Sequence, residues 1–159
     1  MIRKVIGIVL VVCILTALSG LIRGGGTGSS PAATGPSQEE VKKQEETRQR
    51  DEQSAKTQVV TFGVIREIYS NLRDPDSFKL KSVFIPDNDT VVVSCVEYFA
   101  RNGFGGMNRE YAVGTSSHGD FKFSPNNAGI WNKMCAHKRG QDFKTYGEFA
   151  LERIKATSN

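Results

Sequence analysis

The chain has 159 residues, 38% of them hydrophobic, with 21 basic against 17 acidic side chains and a net charge of +4. Arg3, Lys4 and Arg23 flank one apolar run, which leaves 18 basic residues against 17 acids, so the rest of the chain is nearly neutral. That balance excludes the large basic field with which nucleic-acid binders neutralise phosphates, and no nucleic-acid partner is expected.

The apolar run is Val5–Ile22, 18 residues without a charge, the short end of what spans a hydrocarbon core as a helix. Arg3 and Lys4 precede it and hold the N-terminus in the cytoplasm under the positive-inside rule. Everything downstream is therefore expected outside the cytoplasm, in the periplasm or at the cell surface. Residues 1–23 read either as a cleaved signal peptide or as a membrane anchor. Ala17 and Ser19 give an A-x-S site before Gly20 for the first reading. Leu21 and Ile22 resume the apolar run for the second, with the membrane as partner of the helix. Cys13 follows Val12, where a lipoprotein would carry a small residue, so it reads as an apolar filler.

Residues 24–56 divide in two. Gly24–Gly35 (GGGTGSSPAATG) is a flexible low-complexity spacer. Ser37 and Glu40 then form an S-x-x-E capping box that signals a helix start. From Gln38 to Lys56 nearly every side chain is polar or charged, giving a solvated helix or a fraying linker.

Residues 57–159 read as one α+β domain, a helix on a small antiparallel meander followed by a C-terminal helix. Val60, Val64, Ile65, Ile68, Tyr69 and Leu72 recur at helical spacing, predicting a first element over Val59–Arg73 that Asp74-Pro75 ends. Ser77–Phe84 alternates as a half-exposed strand, with Phe78, Leu80 and Phe84 apolar between Lys79 and Lys81. Pro86–Asp89 is a tight turn. Thr90–Ala100 (TVVVSCVEYFA) is the expected central strand. Its residues Val91, Val93, Cys95, Glu97 and Phe99 face one way, and Val92, Ser94, Val96, Tyr98 and Ala100 the other. Strands over Glu110–Gly114 and Phe121–Phe123 flank a turn at His118-Gly119-Asp120, Ile130–Cys135 returns towards the central strand, and Phe143–Lys155 is the last helix.

Cys95 and Cys135 are an even pair bound for an oxidising compartment, most simply one disulfide. Two free thiols are the alternative, although no C-x-x-C spacing supports a reactive one.

The sharpest local signal is Arg101-Asn102-Gly103-Phe104-Gly105-Gly106. It lacks the Lys-Ser/Thr of a phosphate loop and the G-x-G-x-x-G spacing. One reading is a binding loop, with Arg101, Asn102 and Phe104 as contacts and Gly105 and Gly106 for close approach. The other is a strand connection with Phe104 tucked into the core.

Asp74-Pro75, Ser77 and Phe78, then Cys95, then Ala100-Arg101-Asn102 with Phe104-Gly105-Gly106 resemble a D-P-x-S-x-F … C-x4-A-(R/K)-N-x-F-G-G pattern. That pattern occurs in small uncharacterised bacterial domains, often exported behind a signal or lipid anchor and sometimes phage-associated. Val96 and Met107 stand where those relatives often carry glycine and tyrosine. The resemblance implies an exported compartment and a domain extent, and no activity.

Enzyme readings find little. Ser116-Ser117-His118-Gly119-Asp120 puts three triad residue types in one turn, where they cannot adopt nucleophile–base–orienter geometry. Glu97 reads as a buried acid with a raised pKa, as the partner of Arg101 or Arg109, or as solvent-facing. Two histidines without ligand spacing predict no metal site, and no cofactor is expected. Tyr98, Tyr111 and Trp131 either line a cleft or pack in the core. A pilin-like outline lacks the prepilin glutamate, since Gly20-Leu21 leads to Gly24. The expected function is thus a non-enzymatic envelope module that binds a protein or cell-wall component. The alternative is an envelope hydrolase or inhibitor-like domain with Glu97, Arg101 and His118 in one cleft.

Overall fold

The structure, a computed structural model, describes residues 37–158. The apolar run Val5–Ile22 and the spacer Gly24–Gly35 lie outside them. No helix among the described residues is long and apolar enough to cross a membrane.

The fold is α+β: α1 (Gln38–Asn71), a 3-10 turn (Pro75–Ser77), β1 (Lys79–Pro86), β2 (Val92–Arg101), β3 (Met107–Ser117), β4 (Asp120–Pro125), α2 (Ala128–Met134), β5 (Gly140–Asp142) and α3 (Lys144–Ser158). The strands form one antiparallel sheet in the order β4-β3-β2-β1-β5, with β2 at its centre.

The first helix is longer than its apolar stripe. It starts at Gln38 instead of Val59, because Ser37 and Glu40 close the capping box from both sides: the Glu40 amide donates to the Ser37 hydroxyl and the Ser37 amide to the Glu40 carboxylate. Those bonds satisfy amides that would otherwise be orphaned at the N-terminus. The polar stretch needs no core, since Arg48 pairs with Glu45 and Glu52 along its surface. Burial begins at Thr57 and continues through Val60, Thr61, Val64, Ile65, Ile68 and Tyr69, the stripe that the periodicity marks.

α1 and α3 cover one face of the sheet. Val64, Ile65, Ile68, Val83, Ile85, Val96, Tyr98, Ala100, Ala150, Leu151 and Ile154 form the larger core there. Thr61 donates a 3.0 Å hydrogen bond to Ser94 in its midst, so neither hydroxyl is left unpaired. α2 covers the other face, where Val93, Cys95, Val113 and Cys135 are buried with Phe84, Ile130, Trp131 and Met134 around them. The two faces of β2 are those its alternation assigns.

Four expectations are corrected. Ile130–Cys135 is not a strand but most of α2, because Asn127 caps a helix there, its side-chain oxygen accepting from the Ile130 amide at 3.0 Å. A register shift between Leu80 and Ser82 moves Phe84 off the Phe78–Leu80 face and onto the disulfide side. Phe149 is 56% exposed, and Gly147, Ala150, Leu151 and Ile154 supply the buried face of α3. β3 runs over Met107–Ser117, beyond both ends of the expected Glu110–Gly114, and β5, at residues assigned to no element, pairs with the outer side of β1.

Cys95 on β2 and Cys135 at the end of α2 form a disulfide with 6.0 Å between their Cα atoms. Both residues are buried.

Candidate functional site

β2 and β3 are joined by the segment 102–106, and the loop is built by Asn102. The Asn102 side-chain oxygen accepts from the amides of Phe104 (3.0 Å) and Gly106 (2.9 Å), while its side-chain nitrogen donates to Asn108 at 3.1 Å. Its backbone closes the turn, with the Asn102 amide donating to the Gly106 carbonyl and the Gly105 amide to the Asn102 carbonyl. Gly105 has φ +86°, a conformation that costs glycine nothing and any other residue strain.

The base of the loop is tied to the turn after α1. The Arg101 amide donates to the Ser77 hydroxyl at 2.9 Å, and that hydroxyl donates to the Asp74 carbonyl at 2.6 Å. The Arg101 guanidinium pairs with the Asp74 carboxylate at 2.8 Å. Asp74, Ser77, Arg101 and Asn102 are therefore one hydrogen-bonded unit, and each is occupied in holding the loop. Arg101 and Asn102 are braces; neither offers its main bonding capacity outwards.

Phe104 is what the unit presents. Its side chain is fully exposed at the tip, which overturns its placement in the core. Met107, 46% exposed, follows at the start of β3. Gly106 sits against the Asn102 side chain, whereas a Cβ on Gly105 would meet nothing, so that glycine serves backbone geometry alone.

Glu97, Arg101 and His118 do not converge. Glu97 stands opposite Tyr111, and His118 lies seven residues farther along the β3–β4 hairpin, roughly 20 Å at strand rise. His118 and Gly119, with φ of 51° and 90°, make the tight turn that joins β3 to β4. Ser117 Oγ lies 3.0 Å from His118 Nδ1, a contact between neighbours in that turn.

Glu97 is tied to Lys81, Ser82 and Arg109. Partial burial pushes its pKa up, but the bonds from Arg109, Lys81 and Ser82 together outweigh that and hold it below its ordinary value of 4.5. Of the readings of Glu97, the structure has the pairing with Arg109 and not the raised pKa, so the carboxylate has no proton to give at neutral pH. A lowered folded-state pKa stabilises the fold above the ordinary glutamate range and ceases to do so as pH falls through the folded value. Glu97→Gln should accordingly cost on the order of 1 kcal/mol at pH 7, since Arg109 is largely solvated. In urea titrations the gap between variant and parent should narrow as pH falls below the ordinary glutamate range and close only below the lowered folded-state value. A constant gap down to pH 2 would disprove this ion-pair account.

Tyr98 lies on the α1 face, edge-on to Phe78 at 5.3 Å, while Tyr111 packs on Trp131 at 5.0 Å. Tyr98 therefore shares no cleft with the other two. Burial, then its bond to Glu110, raises the Tyr98 pKa far above its usual range, so the hydroxyl remains a donor.

A groove of about 850 Å³ opens at the other end of the sheet, with Val59, Val60, Gly63, Val91 and Phe121 as apolar lining and Lys56 and His118 at its border. No base is hydrogen-bonded to a nucleophile there beyond the Ser117–His118 contact, which has no orienting third group among the described residues. No group of three or more His, Cys, Asp or Glu side chains among the described residues could hold a metal.

The chain matches no family model, no curated protein and no solved structure.

Proposed function

We propose that the protein is an extracytoplasmic binding module, tethered or released by way of Val5–Ile22, that engages a protein or cell-wall component of a bacterial envelope through the loop Arg101–Gly106. The observation that carries this reading is Phe104: a fully exposed aromatic ring on a loop held by four hydrogen bonds centred on Asn102 and its backbone. Exposing a phenylalanine forgoes about 2–3 kcal/mol of burial, and a loop already ordered loses little further entropy on binding. The Cys95–Cys135 disulfide suits an oxidising compartment.

The test is Phe104→Ala in the full chain, with crosslinking in intact cells and a melting curve for the exported protein. Tm should stay within about 2 °C, because the ring touches no core. Affinity for the captured partner should fall about 30- to 150-fold, the equivalent of that burial. Unchanged capture would remove the loop from the binding site, and protection of the domain from protease added to spheroplasts would remove the compartment.

A further inference from the structure

We infer that the loop's partner is a protein presenting an apolar socket with a carboxylate beside it, and that Arg73 supplies the matching charge. This rests on the reading of the Phe104 loop as the binding site.

The inference starts from what the loop has left to offer. Asn102 spends its side-chain oxygen on two amides and its side-chain nitrogen on Asn108. Arg101 is neutralised by Asp74. Arg73 is different. It is exposed, and no ion pair or side-chain hydrogen bond engages it among the described residues. Its guanidinium lies against the loop, with Nη1 3.1 Å from the position a Gly103 Cβ would take. The available surface is therefore a projecting apolar ring and one uncommitted planar cation beside it.

That pairing selects among ligand classes. A glycan is read by hydrogen bonds to its hydroxyls around an aromatic platform, and the amide and carboxylate nearest Phe104 are already bonded within the loop. A bilayer is disfavoured because surface anchoring takes a broad apolar face or a cluster of cations, and the loop at the C-terminal end of α1 offers one projecting ring and one uncommitted cation. A protein socket fits both groups: an apolar pocket buries the ring, and a carboxylate takes the guanidinium in the fork geometry that arginine favours. Interface anchors of this kind are commonly an aromatic and an arginine side by side.

The experiment places photoreactive benzoylphenylalanine at position 104 of the full chain in the native cells, with the same probe at exposed Phe149 on α3 as control. The adduct specific to position 104 should be a protein. Arg73→Glu should reduce its yield at least tenfold and Arg73→Lys far less, and reversing one carboxylate of the captured protein to lysine should restore capture by Arg73→Glu. Co-sedimentation of the purified exported domain with phosphatidylglycerol vesicles and with purified cell-wall sacculi covers the other sources. If Arg73→Glu captures as well as the parent while Phe104→Ala does not, the loop reading stands and the acidic socket is wrong. A Phe104-dependent association with vesicles or sacculi overturns the protein socket in the same way. If the probe at 104 yields no adduct beyond the Phe149 control and neither vesicles nor sacculi sediment the domain, both the socket and the loop reading fall.

Discussion

Opening the Cys95–Cys135 bridge is expected to lower Tm by roughly 15 °C, the largest single effect available in this fold. The bond closes a loop of 40 residues, and restricting such a loop in the unfolded chain is worth about 4 kcal/mol in the chain-entropy model. Position adds to the effect. Cys95 lies on the central strand and Cys135 follows the last turn of α2, so the bond fastens that helix to the sheet. α2 has only seven residues and buries none of them fully, too short to persist without a tertiary hold. A Cys95→Ala/Cys135→Ala double variant should therefore lose the fixed signal of Trp131 against Tyr111 before the larger core on the α1 face melts. Near-UV circular dichroism at 25 °C, followed through a thermal scan with and without reductant, measures this. A double variant melting within 5 °C of the parent would show that α2 is held by its apolar contacts alone.

The same region shows where sequence pattern runs out. β2 was legible because its alternation is long and its two faces are both apolar, and the disulfide followed from the pair of cysteines left once Cys13 is assigned to the apolar run. The start of α1 was legible from Ser37 and Glu40, whose chemistry is local. Ile130–Cys135 was not: six apolar-rich residues suit a strand or a helix equally, and only Asn127, three positions before the run, decides between them. The shift between Leu80 and Ser82 depends on pairing with β2 and leaves no mark in the run itself.

The candidate site divides in the same way. Glycine spacing marked the loop, yet nothing in Arg101–Gly106 states which way Phe104 points. That is fixed by the Asn102 bonds and by Asp74 and Ser77, more than twenty residues upstream. Asp74 and Ser77 meet Arg101 in space and are the frame of the loop. Arg73 carried no signal at all, since its significance lies in being the cation beside Gly103 that nothing neutralises.

Gly114→Ala should be the most damaging single-atom change in the core, costing about 2–3 kcal/mol or roughly 10 °C in Tm. In the sequence a glycine at the end of an apolar run reads as a strand terminus. Here β3 continues through it to Ser117, and the glycine exists for α1. A Cβ at this position would stand 2.0 Å from Val64 Cγ2, with Phe121 at 3.2 Å and Val60 at 3.5 Å on its other sides. Val64 is fully buried on α1, and a β-branched side chain in a helix has one strongly preferred rotamer, so it cannot swing aside cheaply. The helix must lift from the sheet or the strand must bow. Either movement loosens the Thr61–Ser94 bond a turn away. Val64→Ala alone opens a cavity and should also destabilise, but in the Gly114→Ala background it makes the room that the new methyl needs. The double variant should consequently be at least 1 kcal/mol more stable than the two single effects summed, a coupling that only direct contact produces. Urea titrations of the four proteins give the cycle. Strict additivity, or a Gly114→Ala cost below about 0.5 kcal/mol, would mean that α1 does not approach the backbone of β3 as closely as this packing requires.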